Sequence, residues 1–165
     1  QSYLSDLEFA RAFVQSRLNL SMKGPEVIRQ ELLDKGLKDD VIRESLKLFS
    51  TELQIEKATN LLVKKYPARL ITSRTEQERK LYNLLISKGF SHNVTNIAFQ
   101  ELQGEREDDD GEWEAIKLQG KKALNKYKAY SVWEKNQKLK QYLFRKGFSF
   151  ELIEKFIEYY ETSGE

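Results

Sequence analysis

Apolar residues recur along the chain at intervals of three and four, and Lys, Glu, Arg, Gln and Leu fill most of the positions between them. This period is that of an amphipathic helix, and these residue types favour helix formation. Two prolines and eight glycines interrupt the pattern at only a few points. The sequence therefore predicts an all-α protein.

A Lys-Gly pair occurs three times, at Lys35-Gly36, Lys88-Gly89 and Lys146-Gly147, with glycine spacings of 53 and 58 residues. Glycine accepts the left-handed conformation that ends many helices, so each pair is expected to end a helix. Aligning the three glycines brings seven apolar columns into register. The columns are Ile28/Leu81/Leu139, Leu32/Leu85/Leu143, Leu33/Ile86/Phe144, Leu37/Phe90/Phe148, Val41/Val94/Leu152, Leu46/Phe99/Ile157 and Phe49/Leu102/Tyr160.

Helix-start signals agree with this repeat. Ser73 and Ser131 stand sixteen residues before their glycines and each begins a capping box, while Gly24-Pro25 takes that place in the first repeat. Ser91 and Ser149, two residues after a glycine, are predicted to cap the next helix.

An earlier helix in each repeat is expected to carry the columns Phe9/Ile55/Gly120, Ala12/Ala58/Ala123 and Ser16/Leu62/Tyr127. The small residues of the middle column predict close helix packing. Units of this size bury little apolar surface alone, so neighbours should complete each other's cores. The sequence predicts a tandem array of three three-helix repeats, elongated and curved, with repeats at residues 1–50, 51–104 and 105–165.

The segment 105–114, EREDDDGEWE, contains seven acidic residues and breaks the repeat pattern. We interpret it as an acidic linker or a solvated helix start. A calcium loop is the alternative, but Arg106 and Lys117 would occupy its first and twelfth ligand positions and repel the ion.

Residue composition excludes most enzyme chemistry. The absence of cysteine excludes disulfides, thiolate metal sites and cysteine nucleophiles, and the single histidine, His92, excludes a multi-histidine metal site. No GxxxxGK[ST] or GxGxxG motif is present, so nucleotide hydrolysis is not expected. We interpret His92 as an exposed helix-start residue and expect no enzymatic activity, cofactor or metal.

The balance of 39% hydrophobic and 33% charged residues is typical of a folded, soluble protein. No apolar run is long enough to span a membrane, and no signal peptide is evident. Together with the lack of cysteine, these features predict a cytoplasmic protein without membrane contact.

Positive charge is concentrated in residues 115–146, although the net charge of the chain is only +2. Glu134 is the one acidic residue in this segment, against ten basic residues: Lys117, Lys121, Lys122, Lys126, Lys128, Lys135, Lys138, Lys140, Arg145 and Lys146. A helix stripe of Trp113, Ile116, Ala123, Tyr127 and Tyr130 should direct the lysines outward. This imbalance favours contact with a polyanion or an acidic partner over a merely solvated face.

Aromatic residues are also abundant in this third repeat, which raises the possibility of base stacking. Most of them fall on core columns, so packing is the favoured interpretation, with Tyr142, Phe150 and Tyr159 the best candidates for exposure.

The stretches 6–17 (DLEFARAFVQSR) and 24–36 (GPEVIRQELLDKG) resemble the signature of the bacterial recombination regulator RecX family. The matching residues are Asp6, Phe9, Ala10, Val14, Arg17, Gly24, Pro25, Ile28, Glu31, Leu32, Lys35 and Gly36. Glu8 departs from the pattern, which usually has arginine there. The resemblance implies a non-catalytic protein that binds RecA and RecA filaments on single-stranded DNA and mainly inhibits ATP hydrolysis, strand exchange and co-protease activity in DNA repair and the SOS response.

Candidate contact residues for RecA or DNA come from both ends of the chain. They are Arg17, Arg29, Lys35, Lys117, Lys121, Lys122, Lys126, Lys128, Lys135 and Lys138. A solvated helix face carrying ion pairs is the plainer interpretation for the first three. The alternatives are a helical-repeat nucleic-acid-binding protein or an adaptor unrelated to RecA. We expect a monomer, and the sequence leaves open whether DNA or RecA is the main contact.

Overall fold

The computed structural model describes residues 2–105 and 111–163, and these residues form helices and connecting loops without a strand. The helices are α1 (Tyr3–Leu20), α2 (Pro25–Asp34), α3 (Asp39–Leu46), α4 (Thr51–Lys65), α5 (Arg74–Ser87), α6 (His92–Glu105), α7 (Glu112–Lys126), α8 (Val132–Arg145) and α9 (Phe150–Ser163). This confirms the prediction of an all-α protein.

The predicted helix ends lie at the repeated glycines. Gly36, Gly89 and Gly147 have positive φ angles of 85°, 99° and 93°, and each follows α2, α5 or α8 within two residues. Only glycine adopts this backbone conformation without strain, which explains the regular spacing. The turns therefore hold the same position in all three repeats.

Serine side chains begin several helices as predicted. Ser73 Oγ accepts a hydrogen bond from the Glu76 amide at 3.1 Å, and Ser131 Oγ accepts one from the Glu134 amide at 3.3 Å. Ser91 and Ser149 accept equivalent bonds from Val94 and Leu152, at 3.1 and 3.2 Å. These bonds satisfy amides that have no partner within the helix.

The chain forms two compact units, of which the first comprises residues 1–66 and 81–106. In this unit α1 packs against α3, and α4 packs against α6. Ile28, Leu32 and Leu85 are fully buried at its centre, together with Ala10 and Val14 of α1. The two apolar columns that contain Ile28 and Leu32 thus supply much of the core of this unit.

The second unit comprises residues 67–80 and 107–165, and in it α7, α8 and α9 pack against one another. Ile116, Leu139, Leu143 and Ile153 are buried at 0 or 1% exposure. A side chain at Gly120 of α7 would collide with the Phe156 ring, so glycine allows α9 to approach α7 closely.

Each predicted repeat contains three successive helices, but the compact units divide the chain differently. Helix α5 belongs to the second unit up to residue 80 and to the first from residue 81. The boundaries at 1–50, 51–104 and 105–165 therefore stay a prediction.

The alignment of the first helices was wrong by two residues in the first repeat. Ala12 and Phe9 are exposed, whereas Ala10 is fully buried, as is Ala58 of α4. The loop between the first two helices has four residues after α1 but eight after α4. Phe9, Ala12 and Ser16 have the same helical spacing as the buried Leu7, Ala10 and Val14, so spacing alone does not select the correct register.

Segment 105–114, interpreted above as an acidic linker or a solvated helix start, is helical at both of its described ends. Helix α6 continues to Glu105 and α7 begins at Glu112, so both ends of segment 105–114 are helical. The Arg74 amide donates a hydrogen bond to Glu112 Oε1 at 3.1 Å, which fixes the start of α7 within the second unit. The remaining residues, 106–110, lie outside the described residues, as does most of the calcium loop weighed above.

Candidate nucleic-acid interface

The loop between α7 and α8 brings tyrosines from two segments together. Helix α7 ends at Lys126, so Tyr127 and Tyr130 lie in the loop and not on the helix stripe predicted for them. The Tyr127 ring contacts those of Tyr130 and Tyr142 edge to face, with centroids 6.1 and 6.5 Å apart. Tyr142 lies on α8, fifteen residues after Tyr127 in the sequence.

Three lysine ammonium groups lie over these rings. Lys138 Nζ is 4.6 Å from the centroid of Tyr130 and 5.9 Å from that of Tyr127. Lys126 Nζ is 5.5 Å from the centroid of Tyr127, and Lys146 Nζ is 5.5 Å from the centroid of Tyr142. We call this set the tyrosine–lysine cluster; it comprises Lys126, Tyr127, Tyr130, Lys138, Tyr142 and Lys146.

The charges of this cluster are available to an external anion. Within residues 2–105 and 111–163, no carboxylate forms a salt bridge with Lys126, Lys138 or Lys146. Each ammonium–ring contact is worth about 0.5–1 kcal/mol at an exposed site, so it orients the lysine without neutralising it. Tyr130 is 44% exposed, which leaves part of its ring open to solvent.

A groove of about 290 Å³ lies between α7 and α9. Phe156, Tyr159 and Tyr160 line its apolar part, and Lys121 and Lys128 lie at its polar edge. These lysines are exposed and, among the described residues, have no salt-bridge partner. The groove therefore combines aromatic surface with positive charge.

Two further predicted residues are absent from the lining of this groove. Lys135 Nζ lies 5.9 Å from the centroid of Tyr160, and its side chain is half-buried. Lys122 is exposed on α7. Both remain accessible on the second unit.

Lys117 does not lie on an outer face as predicted. Its side chain is only 25% exposed, and its Nζ lies 2.9 Å from Glu114 Oε1. It also approaches the rings of Trp113 and Tyr159, at 5.9 and 5.7 Å. The hydrogen bond to Glu114 raises the pKa of Lys117 despite partial burial. This lysine stabilises the packing of α7 and α9 and is a poor candidate for phosphate contact.

In the first unit, Arg17 and Lys35 come together at the Phe13 ring. The Arg17 guanidinium carbon lies 4.4 Å and Lys35 Nζ 5.5 Å from its centroid. Arg17 Nε donates a hydrogen bond to Glu31 Oε2 at 2.9 Å, and Lys23 Nζ binds the other oxygen at 2.6 Å. Arg17 thus joins α1 to α2, whereas Lys35 is exposed without a carboxylate partner among the described residues.

Arg29 forms a separate pair on α2. Its Nε donates to both carboxylate oxygens of Glu26, at 3.0 and 3.1 Å. The Arg29 hydrogen bond lowers the pKa of Glu26, and Glu26 in turn raises the pKa of Arg29. The plainer interpretation, an ion pair on an exposed helix face, fits this residue.

His92 has one polar contact, in which its Nδ1 lies 2.8 Å from the Tyr82 hydroxyl. Among the described residues, no group of three or more His, Asp or Glu side chains could hold a metal ion. Nor does any helix in that part of the chain have the length and apolar character to cross a bilayer.

Sequence reasoning missed several exposed aromatic residues. Phe150 and Tyr159 are exposed as predicted, but Tyr142 is half-buried, and Phe144 of a predicted core column is 53% exposed. Phe144 stacks on Phe150 with centroids 4.8 Å apart. Trp133 is 71% exposed and lies eleven residues before Phe144, a spacing that puts both on one helix face and could have been recognised.

Two family models, each of a three-helix domain, match parts of this chain. The second three-helix domain of RecX matches residues 5–46, and the third matches residues 110–157. Together these matches cover more than half of the sequence. The chain belongs to the RecX family.

Similar proteins agree with this assignment. Proteins named regulatory protein RecX from Bacillus cytotoxicus and Bacillus cereus are both 40% identical, over 94% and 98% of this chain. The chain spans only 57% and 60% of their lengths. A crystal structure of RecX from Lactobacillus salivarius is 33% identical with a TM-score of 0.54, covering 59% of this chain and 64% of that one. The helical-repeat fold is thereby confirmed.

Proposed function

We propose that this RecX-family chain binds RecA filaments assembled on single-stranded DNA and restrains their ATPase, strand-exchange and co-protease activities. The observation that carries the proposal is the tyrosine–lysine cluster, where lysines without carboxylate partners among the described residues surround partly exposed rings. Lysines attract phosphates, and tyrosine rings can stack on unpaired bases. The family membership supplies RecA as the partner.

The groove between α7 and α9 extends the same chemistry. Lys121 and Lys128 border an apolar surface formed by Tyr159 and Tyr160. A strand that leaves the cluster could place a phosphate near these lysines and a base against the aromatic wall. We assign Lys121, Lys122, Lys126, Lys128, Lys135 and Lys138 to this proposed interface, and we omit Lys117 because Glu114 already binds it.

The first unit would contact RecA protein. Lys35 and Arg29 retain exposed side chains on α2 and the turn after it, and we propose that they contact acidic groups of the filament. Arg17 acts indirectly, because its bond to Glu31 holds α1 against α2. An Arg17 variant should therefore lose stability and inhibition together.

The proposal is tested by replacing Lys126 and Lys138 with Gln. We expect weaker binding of a fluorescent single-stranded oligonucleotide and weaker inhibition of RecA ATPase, since two unpaired cations of the cluster are removed. Lys64→Gln combined with Lys65→Gln is the matched control, because these lysines are exposed at the end of α4. An equal loss of binding and inhibition in both double variants would contradict the proposal, because it would show that the net charge of the chain, and not the position of these lysines, determines binding.

The alternatives make different predictions in the same experiment. A nucleic-acid-binding protein unrelated to RecA would bind the oligonucleotide equally well with or without RecA and leave its ATPase unchanged. A protein adaptor unrelated to RecA would neither bind the oligonucleotide nor change RecA ATPase, whether or not Lys126 and Lys138 are replaced.

We further propose that the chain acts by binding and not by turnover. Purified protein alone should hydrolyse neither ATP nor DNA nor peptide substrates. Activity that copurifies with the chain and disappears in His92→Ala would contradict this, because His92 is the only histidine and its contact is to a tyrosine hydroxyl.

A further inference from the structure

Another groove, of about 520 Å³, lies in the second unit, where the loop before α5 meets α7 and α9. This volume is within the range of about 300–1,000 Å³ that is usual for ligand sites in proteins. We call it the loop groove, and its lining includes Arg69, Leu70, Ile71, Leu118, Lys121 and Tyr159.

The loop that forms one wall of this groove is fixed in place on the second unit. Gln119 of α7 is only 8% exposed, and its Nε2 donates a hydrogen bond to the Ile71 carbonyl at 2.9 Å. Leu70 is buried on one side of Ile71, and the fully buried Ser73 donates its hydroxyl to the Lys146 carbonyl on the other. A ligand therefore meets a wall that is already ordered, which lowers the entropic cost of binding.

This wall presents an apolar side chain to solvent. Ile71 stands two residues before the helix cap Ser73, and Met22 stands two residues before the equivalent Gly24 in the first unit. Met22 packs against the core of its unit, whereas Ile71 is 65% exposed. The longer loop of the second unit thus places an apolar side chain at the groove, where the shorter loop makes a core contact.

The face of α7 that forms the opposite wall is exposed in the first unit as well. Leu118 is 43% exposed, and Leu53, the equivalent residue of α4 in the aligned columns, is 39% exposed. Glu56, the equivalent of Lys121, is also exposed. Helix α4 has other helices of this chain both before and after it in the sequence. An open face at this position is therefore a property of the repeat itself.

The charged residues of the loop groove give it a positive rim. Lys117 and Glu114 pair with each other, with Nζ and Oε1 2.9 Å apart. Arg69 and Lys121 are exposed, and within the described part of the chain no carboxylate forms a salt bridge with either of them. A guanidinium group binds a carboxylate through two parallel hydrogen bonds, so Arg69 suits an acidic side chain.

The wall of the loop groove favours a protein segment over an unpaired base. Leu70, Ile71 and Leu118 are aliphatic, whereas stacking of bases depends on aromatic rings. An aliphatic wall beside free positive charge fits a segment that carries both a large apolar side chain and carboxylates.

We propose that the loop groove binds an acidic segment of the protein component of the RecA filament. A large apolar side chain of that segment lies against Ile71 and Leu118, and a carboxylate binds Arg69. The inference rests on the proposed function, which supplies the filament as the partner. It adds a protein contact to the second unit, directly beside the proposed DNA contact, because Lys121 and Tyr159 line both grooves.

The test measures how the chain, labelled with a fluorophore at its amino terminus, binds a single-stranded oligonucleotide alone and RecA filaments on the same oligonucleotide. Ile71→Ala combined with Leu118→Ala removes apolar contact from both walls of the loop groove. Leu53→Ala combined with Val63→Ala is the matched control, because both residues are similarly exposed on α4.

We expect the Ile71/Leu118 variant to bind filaments at least about tenfold more weakly, because truncating an apolar anchor of an interface commonly has an effect of this size. Its affinity for the oligonucleotide alone should equal that of the wild type, and the control should match the wild type in both measurements. Thermal unfolding checks that each variant retains its fold.

A second variant tests the positive rim without touching the apolar walls. Arg69→Gln should weaken filament binding, and it should change oligonucleotide binding by no more than Arg43→Gln, which removes an exposed arginine from α3. Because Arg69 is exposed, this variant also tests the inference if the Ile71/Leu118 variant fails to fold.

Two results would overturn the inference while leaving the proposed function intact. One is wild-type filament binding by the Ile71/Leu118 and Arg69 variants. The other is an equal loss of filament and oligonucleotide binding, because the loop groove would then hold nucleic acid. A wild-type chain that binds the oligonucleotide but no filament would contradict the proposed function as well as the inference.

Discussion

Alanine substitution at two equivalent glycines should separate the stability lost through backbone strain from the stability lost when a contact between two repeats is disrupted. Gly36 and Gly89 both have positive φ, at 85° and 99°, and both lie in the first unit. Alanine in this conformation costs about 1–2 kcal/mol in either place. Only at Gly89 does the added Cβ also meet another segment, 2.6 Å from the Val27 amide nitrogen.

The additional loss of stability in Gly89→Ala can be estimated from the backbone hydrogen bonds that the substitution would break. Moving the turn away breaks the Gly24–Lys88 and Glu26–Gly89 backbone hydrogen bonds, each worth about 0.5–1.5 kcal/mol net. We therefore expect Gly36→Ala to lower the free energy of unfolding by about 1–2 kcal/mol and Gly89→Ala by about 2–5 kcal/mol.

Urea unfolding followed by far-UV circular dichroism measures both values in the same transition, because both glycines belong to one unit. Equal losses of stability in the two variants would refute the reasoning, since strain alone would then account for Gly89. A larger loss for Gly36→Ala would refute it more strongly, because a Cβ at Gly36 meets nothing within 4 Å.

Three further predictions concern packing and pH. Burial alone would raise the pKa of Glu31, but hydrogen bonds from Lys23 and Arg17 hold it below its ordinary value. The ionised Glu31 side chain thus stabilises the fold fully above about pH 4.3, and this stabilisation is lost as the pH falls through the lower pKa of the folded state. In Glu31→Gln, the free energy of unfolding, measured by urea unfolding at a series of pH values, should therefore fall less steeply with decreasing pH. Gly120→Ala should cost about 1–3 kcal/mol by overpacking against Phe156, measured by thermal unfolding, with Phe156→Leu as a rescuing second change. Arg17→Ala should cost about 1 kcal/mol in urea unfolding, and an unchanged midpoint would contradict its role between α1 and α2.

The helix ends could be predicted from sequence because glycine and serine act locally. The left-handed turn at Gly89 and the cap at Ser73 each depend on a few neighbouring residues, so their spacing alone locates them. The register of α1 could not be predicted in the same way. Leu7, Ala10 and Val14 are buried, but Phe9, Ala12 and Ser16 have the same spacing of three and four residues, so periodicity alone does not show which set faces the core.

The sequence predicted the positive charge of the candidate interface but not the arrangement of its side chains. The excess of lysine in residues 115–146 is visible in the sequence, yet the contact of Lys138 with Tyr130 depends on how the loop turns back over α8. Lys117 shows the opposite case, because its pairing with Glu114 and two aromatic rings removes it from the available charge. Local spacing does not distinguish a lysine that is engaged in packing from one that is free.

The salt dependence of binding to RecA filaments on single-stranded DNA tests the central claim most directly. Each lost phosphate contact lowers the slope of log affinity against log salt by about 0.7, so Lys126→Gln with Lys138→Gln should lower it by about 1.4. The Lys64/Lys65 control should keep the wild-type slope, because these lysines at the end of α4 belong to none of the proposed contact surfaces. A slope that stays at the wild-type value in the Lys126/Lys138 variant would contradict the account, since the tyrosine–lysine cluster would then make no contact with phosphate.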